Sequence, residues 1–283
     1  MAATASTPCA RPTPLEEVEI DLLLEAVHRV GGVDFRDYAR ASLRRRIQSQ
    51  LRAQKADTIT HLLDKIVHDP LCMDRFVLGL SVNVSVMFRD PAFFRALREL
   101  VFPLLRPWPF LRIWLAGCSM GEEVYSLAIM LAEEGLISRC RIYATDINER
   151  ALAKAREGIY ALDLVQRYTQ NYIQAGGTRS FSEYYTAAYG NAIFGPALRE
   201  RVIFAKHNLV TDGPFNEFSL ILCRNVMIYF NRRLQERVHR LLSDSLANFG
   251  VLGLGAREAL PLTPLQDRYE ALDAPHRLYR RAV

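Results

Sequence analysis

The sequence predicts a small all-helical domain followed by an α/β domain, whose mostly parallel sheet carries helices on both faces. No strand pattern occurs before residue 110, and apolar residues there recur at helical spacing. Beyond residue 110, short apolar runs alternate with helical segments or loops: FLRIWLAG, RIYATDI, RVIFAKHNL, FSLILCRN and GVLGLGA. Strands that alternate with helices in this way are typical of a parallel sheet.

Four helices are expected in the N-terminal domain. The first, within TPLEEVEIDLLLEAVHRVGG, has Pro14 at its first position and closes on Gly31. FRDYARASLRRRIQSQLRAQK predicts an amphipathic basic helix, since apolar residues recur at every fourth position. ADTITHLLDKIVHD predicts a third helix with Asp57 as its cap, and PLCMDRFVLGLSVN predicts a fourth.

Changes in composition along the chain set the expected domain bounds. Residues 1–13 are polar and contain proline, so they predict a disordered lead-in and not a signal peptide. The helical domain is assigned to residues 14–90. Residues 91–110, where FPLLRPWPF carries three prolines, are assigned to a linker. The α/β domain then covers residues 111–283, and its Gly-, Tyr- and Ser-rich segment 178–206 predicts an inserted β-hairpin or small β-subdomain.

The composition is that of an ordinary soluble globular protein, with 50% hydrophobic and 24% charged residues and no apolar run as long as a membrane span. The cytoplasm is therefore the expected location. The five cysteines are scattered and odd in number, and neither C-x-x-C nor H-E-x-x-H occurs. Neither a disulfide framework nor a metal site is expected.

The net charge of +5 is modest but unevenly distributed. Between residues 36 and 55, seven basic residues stand against one acidic residue. That excess favours an acidic partner, either nucleic acid or a carboxylate-rich protein surface. The arginines of the second predicted helix are Arg40, Arg44, Arg45, Arg46 and Arg52.

A glycine turn in RIWLAGCSMGEEVYSLAIM joins the first predicted strand to a helix, at the end of the sheet where α/β proteins bind ligands. A helix N-terminus attracts anions, but Glu122 and Glu123 occupy its first turn and would repel a phosphate. Asp146 ends the next strand, where an acidic residue accepts hydrogen bonds from ribose hydroxyls. A nucleoside with an amino group and no phosphate fits both features, so S-adenosylmethionine is favoured over NAD.

Two further motifs carry polar residues that can face the same crevice. LILCRNVMIYF runs from an apolar strand directly into polar residues, and SVNVSVMFRDPAFF lies between the two predicted domains. Taken singly, these side chains are more typical of salt bridges or of linker surface than of a binding site. They are Arg224, Asn225 and Tyr229 in the first motif, and Asn83, Ser85 and Arg89 in the second.

Together these motifs resemble the CheR family, the chemotaxis-receptor glutamate methyltransferases that use S-adenosylmethionine. The similarity covers residues 35–283 and rests on NVSVMFRDPAFF, RIWLAGCSMGEEVYSLAI, YATDINERAL and FSLILCRNVMIYF, in this order. It implies a Rossmann-like class I methyltransferase domain with a small β-subdomain insertion, preceded by an N-terminal all-α domain. It also implies O-methylation of glutamate side chains on a receptor, with S-adenosylhomocysteine as the product.

The resemblance further implies residue roles. Arg89, Arg224 and Tyr229 would lie at the methyl-transfer centre, and both arginines would also contact the cofactor. Glu122 would hold the amino group of its methionine part, and Asp146 would hold its ribose. The other implied cofactor contacts are Asn83, Ser85, Gly117, Asn225 and the pair that borders the adenine, Asn208 and Leu209.

The family's basic helix docks on the acidic cytoplasmic surface of a receptor, so the resemblance assigns the five arginines to substrate docking. A monomer is expected, without nucleic acid and without membrane insertion. A nucleic-acid methyltransferase stays an alternative, because phosphates would also attract this helix. Only Tyr38 lies near the arginines for base stacking, which weakens that alternative.

Two departures from the family pattern leave further alternatives open. The G-H-S-E segment that is usual after the last strand is here Gly255-Ala256-Arg257-Glu258, without the histidine and serine. A catalytically impaired module that binds the cofactor as a signal is therefore a second alternative. The inserted segment also lacks the glycine loop of members that tether to a receptor peptide. No tether is expected, and the target can be a sensor in another signalling pathway.

Overall fold

The computed structural model describes residues 14–80, 85–261 and 265–282. The chain forms two compact units, Met1–Leu80 and Ser81–Val283. In the described part of the chain, no helix is both long and apolar enough to cross a lipid bilayer.

Helices make up the first unit, within its described residues, and confirm the predicted all-helical domain. An apolar core lies between them and includes Ile20 and Phe76, each at most 1% exposed. The third helix is capped by Thr58, whose hydroxyl accepts the His61 N–H, and not by the predicted Asp57. The bounds are α1 Leu15–Gly31, α2 Arg40–Ala53, α3 Ile59–His68 and α4 Pro70–Leu80.

Residues 91–110 are not a linker, so that prediction is wrong. Residues 91–105 form two short helices joined by a π-helical stretch, and Phe93 and Phe102 lie at most 3% exposed in the core of the second unit. Pro103 lies inside this continuous helical run, directly after the π-helical stretch, so the ladder of backbone hydrogen bonds lacks one donor there. The helical unit therefore ends at Leu80 and not at residue 90.

The second unit carries the remaining helices. One of them, which follows the glycine turn, is buried along most of its length. The bounds are α5 Pro91–Ala96, α6 Phe102–Leu105, α7 Glu122–Glu133, α8 Glu149–Glu157, α9 Val165–Gln174, α10 Pro196–Arg199 and α11 Arg232–Ser245, with the π-helical stretch Leu97–Val101 between α5 and α6.

The second unit is built on a seven-stranded sheet in the order β6-β2-β1-β7-β8-β10-β9. The first five strands in this order pair in parallel, as predicted, and the last two add an antiparallel edge that was not predicted. The strands are β1 Leu111–Ala116, β2 Cys140–Asp146, β3 Ile159–Ala161, β4 Tyr185–Ala188, β5 Asn191–Phe194, β6 Val202–Lys206, β7 Phe218–Cys223, β8 Leu246–Leu254, β9 Tyr269–Asp273 and β10 Leu278–Arg281.

A separate antiparallel sheet, in the order β3-β5-β4, forms the inserted subdomain. Its bounds differ from the predicted segment 178–206. Its first strand begins at Ile159, earlier in the chain. At the other end, β6 belongs to the main sheet, because Val202 to Lys206 pair in parallel with β2. The apolar pattern of β6 did not reveal which sheet it would join.

Because β2, β1, β7 and β8 run in parallel, their carboxyl ends lie along one edge of the sheet. The glycine turn follows β1 at that edge, Asp146 ends β2, and Arg224 follows β7. The topology thus brings three of the sequence motifs together.

Replacing Phe102 by Ala should lower the free energy of unfolding by about 3–5 kcal/mol, because the ring is fully buried and its loss leaves a cavity. Leu100→Ala is the matched control. Leu100 lies in the same segment but is 41% exposed, so the change should stay within about 0.5 kcal/mol. Urea unfolding followed by circular dichroism measures both, and equal small effects would restore the linker interpretation.

Candidate functional site

One crevice at the carboxyl edge of the sheet collects six of the eleven residues predicted to bind the cofactor or to act in methyl transfer. Its floor is formed by the last residues of β1 and β7, and its rim by the loops that follow them and by the loop before α5. The predicted residues that line it are Ser85, Arg89, Gly117, Arg224, Asn225 and Tyr229. Asn83, predicted to line it as well, lies outside the described residues.

The glycine turn is fixed by its backbone. The N–H groups of Gly117 and Cys118 both donate to the Thr145 carbonyl, at 2.8 and 2.9 Å. Gly117 has a φ of +77°, and a Cβ at this position would lie 2.5 Å from a Val226 methyl carbon. Glycine is therefore required here for its conformation and for the close approach of the loop after β7.

Asp146 ends β2 as predicted, and it also closes the turns around it. One carboxylate oxygen accepts the Ser119 N–H at 2.9 Å, and the other accepts the Asn148 N–H at 2.9 Å. Burial raises the pKa of the Asp146 carboxyl, while these backbone donors oppose the rise. The carboxylate is thus held in a fixed orientation beside the glycine turn, and each oxygen retains capacity for a further hydrogen bond.

Glu122 starts α7 and is 5% exposed. Among the described residues, none donates a hydrogen bond to its buried Oε2 atom. Burial raises the pKa of this carboxyl to about 7. Glu122 does not line the crevice described above. Burial, together with the negative charge of Glu122, raises the pKa of the Tyr160 and Tyr168 hydroxyls. A buried carboxylate oxygen that lacks a donor fits a cationic ligand group such as an ammonium.

Glu123 lines the crevice, although the family resemblance implies a cofactor contact only for its neighbour Glu122. Its carboxylate pairs with Arg224 at 3.2 Å. The Arg224 guanidinium also pairs with Asp90 at 2.9 Å, donates to the Arg89 carbonyl at 3.1 Å and lies 3.9 Å from the centre of the Phe93 ring. With its side chain 1% exposed, Arg224 joins three chain segments and is largely occupied by protein partners.

The loop before α5 holds Arg89 between two residues with left-handed backbone. Phe88 has a φ of +52° and Asp90 a φ of +59°, a left-handed conformation that is costly for the bulky side chain of Phe88. The Ser126 hydroxyl accepts the Phe88 N–H at 2.9 Å and helps to fix this loop. Arg89 is half-buried and lines the crevice, and no hydrogen bond or ion pair joins its guanidinium to another described residue. It is the arginine available for a ligand.

Asn208 and Leu209 do not line this crevice. The Asn208 side chain accepts the Val210 N–H at 2.9 Å, so it builds its own turn after β6. That turn is tied to the end of β2 by the His207 N–H, which donates to the Asp146 carbonyl at 3.2 Å. The predicted adenine border therefore lies next to the Asp146 strand end.

Several arginines of helix α2 are already bound within the first unit, so fewer positive charges are available to a partner than the sequence indicates. Arg40 pairs with Asp21 of α1, and Arg44 pairs with Glu17 of the same helix. The Arg46 guanidinium donates to the carbonyl at the end of α4. Two of the five predicted docking arginines remain exposed and without an ion pair to a described residue, and they lie two turns apart on α2: Arg45 and Arg52.

The sequence pattern did not single out Glu258, because its segment departs from the family pattern at the two residues before it. The side chain is buried directly after β8 and bonds to the loop after β7. An acidic residue that closely follows the end of a central strand was the available signal.

Family models match nearly the whole chain. The model for the CheR methyltransferase SAM binding domain matches residues 83–277, and the model for the CheR methyltransferase all-alpha domain matches residues 18–81. Cher3 of Pseudomonas putida is 48% identical, covering 94% of this chain and 97% of that protein. The chemotaxis protein methyltransferases of Listeria innocua and Salmonella typhimurium are 31% and 29% identical, covering 87% and 86% of this chain and 92% and 84% of those proteins.

The affinity for S-adenosylmethionine should rise with pH through the pKa of Glu122. The cofactor's ammonium would bind the ionised carboxylate, and the pKa of about 7 means that binding at lower pH must release a proton. Between about pH 6 and pH 7.5, the Kd should fall about five- to tenfold, below the range where an α-amino group loses its own proton. Isothermal titration calorimetry measures this slope.

Glu122→Gln should bind more weakly and lose the pH dependence, because an amide does not titrate in this range. Glu99→Gln, at an exposed position of the same unit, should keep the wild-type slope. An unchanged slope in Glu122→Gln would refute the assignment of the ammonium to this carboxylate.

Proposed function

The chain belongs to the CheR methyltransferase family, and we propose that it methylates glutamate side chains of a chemoreceptor or a related sensor protein in the cytoplasm. The methyl donor is S-adenosylmethionine, the ligand of the family's matched domain. The products would be glutamate methyl esters and S-adenosylhomocysteine. Two of the relatives are named as chemotaxis protein methyltransferases, which supports the assignment of this substrate class.

The carboxylates around the glycine turn fit this cofactor better than a nucleotide. S-adenosylmethionine carries an ammonium and a ribose and no phosphate. The unbonded Glu122 oxygen can accept from the ammonium, and the oriented Asp146 carboxylate can accept from ribose hydroxyls. Glu122 and Glu123 at the start of α7 disfavour a phosphate there.

The observation that carries the choice of substrate is the guanidinium of Arg89 in the crevice. Arg224, the other arginine there, is paired with Glu123 and Asp90. Arg89 has no such partner among the described residues, so it can receive an incoming carboxylate through a charge-assisted hydrogen bond. A negatively charged side chain is therefore a substrate group that this crevice can bind, beside the carboxylate of the cofactor's own methionine part.

A glutamate carboxylate needs no general base, because it is already ionised at neutral pH. When bound, S-adenosylmethionine supplies an electrophilic methyl group. The protein's part is then to align the carboxylate oxygen with that methyl group, and alignment of this kind is worth up to roughly 7–11 kcal/mol. Arg89 would orient one carboxylate oxygen and leave the other to react. A tighter grip on both oxygens would lower their nucleophilicity.

Recognition of the receptor would rest on the exposed arginines of α2. Arg45 and Arg52 are available to carboxylates of an acidic protein surface, whereas Arg40 and Arg44 are already paired within the unit. Two unpaired charges give few contacts to a phosphate backbone, so the same observation disfavours a nucleic-acid substrate.

Incubation with tritiated S-adenosylmethionine and the cytoplasmic domains of candidate receptors tests the proposal. We expect base-labile label on the receptor, since methyl esters of glutamate hydrolyse in mild base. The same receptor with its target glutamates changed to alanine is the control and should stay unlabelled. Label on RNA would replace the proposal by a nucleic-acid methyltransferase, and cofactor binding without label on any acceptor would indicate a signalling module.

Charge reversal on α2 tests the docking surface. Arg45→Glu with Arg52→Glu should lower kcat/KM for the receptor about three- to tenfold and leave the Kd for S-adenosylmethionine unchanged. Arg233→Glu with Arg237→Glu is the matched control, because both residues are exposed on one helix and the net charge changes equally. If the α2 variant methylates the receptor as fast as the control variant, docking does not use this face.

A further inference from the structure

The Glu258 carboxylate gathers an unusual number of backbone donors. The residue is 4% exposed, and its Oε2 atom accepts the N–H groups of Asn225 at 2.9 Å and Gly255 at 2.6 Å. Its Oε1 atom accepts those of Val226 at 2.8 Å and Met227 at 2.7 Å. One side chain thus satisfies four backbone N–H groups, of which those of Met227 and Gly255 are buried and would otherwise lack a partner.

Three of these donors are consecutive residues of the loop that follows β7. Asn225 has a φ of +60°, so successive N–H groups turn toward a common point and form an anion-binding concavity. The carboxylate fills this concavity, and charge-assisted hydrogen bonds of this kind are stronger than neutral ones. The conformation of the loop therefore depends on a negative charge supplied from the end of β8.

The same loop forms one wall of the crevice. Arg224, Asn225 and Tyr229 line the crevice. Val226, between them, packs so closely on the glycine turn that no side chain fits at Gly117. A shift of the loop would consequently move the wall and the turn relative to each other.

We propose that Glu258 is a positioning residue of the methyltransferase site, which fixes the loop after β7 against the glycine turn and so shapes the cofactor crevice. It touches neither crevice nor cofactor in this role and acts through the backbone of residues 225–227. For turnover, the inference rests on the proposed function; for cofactor binding, it rests on the family's S-adenosylmethionine domain.

The contact between Glu258 and the loop after β7 also defines which residues after β8 it requires. A Cβ on Gly255 would lie 2.6 Å from the Glu258 carboxylate and 2.7 Å from the Asn225 nitrogen, so this position admits glycine only. Ala256 and Arg257, which lie between Gly255 and Glu258, are exposed. The requirement is thus G-x-x-E, and the altered middle residues leave the contact with the loop intact.

Glu258→Gln tests the inference. The amide nitrogen must face two backbone N–H donors on whichever side it is placed, and this repulsion should displace the loop. We expect the Kd for S-adenosylmethionine, measured by calorimetry well below the melting temperature, to rise at least about tenfold. The KM for the cofactor in the receptor assay should rise in parallel.

Glu133→Gln is the matched control, because Glu133 is also a buried carboxylate that accepts several hydrogen bonds. Glu133 accepts from Tyr184 at 2.9 Å and from the Thr178 N–H at 3.1 Å, and it does not line the crevice. This variant should melt at a lower temperature and keep the wild-type Kd and KM within about twofold. A merely structural role for Glu258 predicts this same outcome for Glu258→Gln, and such a result would overturn the inference. An equal rise of Kd in both variants would overturn it as well.

If Glu258→Gln does not fold, Glu258→Asp decides by the same thresholds, because the shorter side chain keeps the charge but cannot reach all four backbone donors. The calorimetric readout needs no methyl acceptor. A wild-type protein that binds S-adenosylmethionine but labels no receptor would therefore contradict the proposed function while the effect of Glu258→Gln on Kd still tests the positioning role.

Discussion

The crevice depends on one buried cation. The Arg224 guanidinium follows β7 and bonds to the start of α7 through Glu123 and to the loop before α5 through Asp90. Breaking a buried pair of this kind typically costs about 3–5 kcal/mol, because a charge is left without a partner. Three segments that are distant in sequence are thus held in register by a single side chain, and the ring of Phe93 covers its face.

Opposite charges hold the loop after β7 from its two sides. Arg224, at the start of the loop, is bound by carboxylates, and Glu258 binds the next three backbone N–H groups. The left-handed backbone of Asn225 lies between these two anchors. Such a conformation costs of order 1–3 kcal/mol and persists where its surroundings determine it fully. The wall of the crevice is therefore preorganised before any ligand arrives.

The sequence was sufficient for features that depend on local pattern. Alternating strands and helices gave the parallel sheet, and strand ends located Gly117 and Asp146 at its ligand-binding edge. Features that depend on tertiary contact stayed hidden. The prolines near Phe102 suggested a linker, because the local sequence does not show that this segment is buried. The charge of α2 looked available because its partners on α1 stand far away in sequence, as with Arg44 and Glu17, which are 27 residues apart.

The pairing of α1 with α2 bears on how ionic strength affects encounters with an acidic partner. Paired charges on neighbouring helices form a set of short dipoles. The electric field of such dipoles decays faster with distance than the field of a row of unpaired arginines. At physiological salt, screening already limits exposed charges to a Debye length of about 8 Å. Long-range attraction should thus contribute little to the association rate, and added salt should slow association only mildly. Contact geometry, more than electrostatic steering, would select the partner.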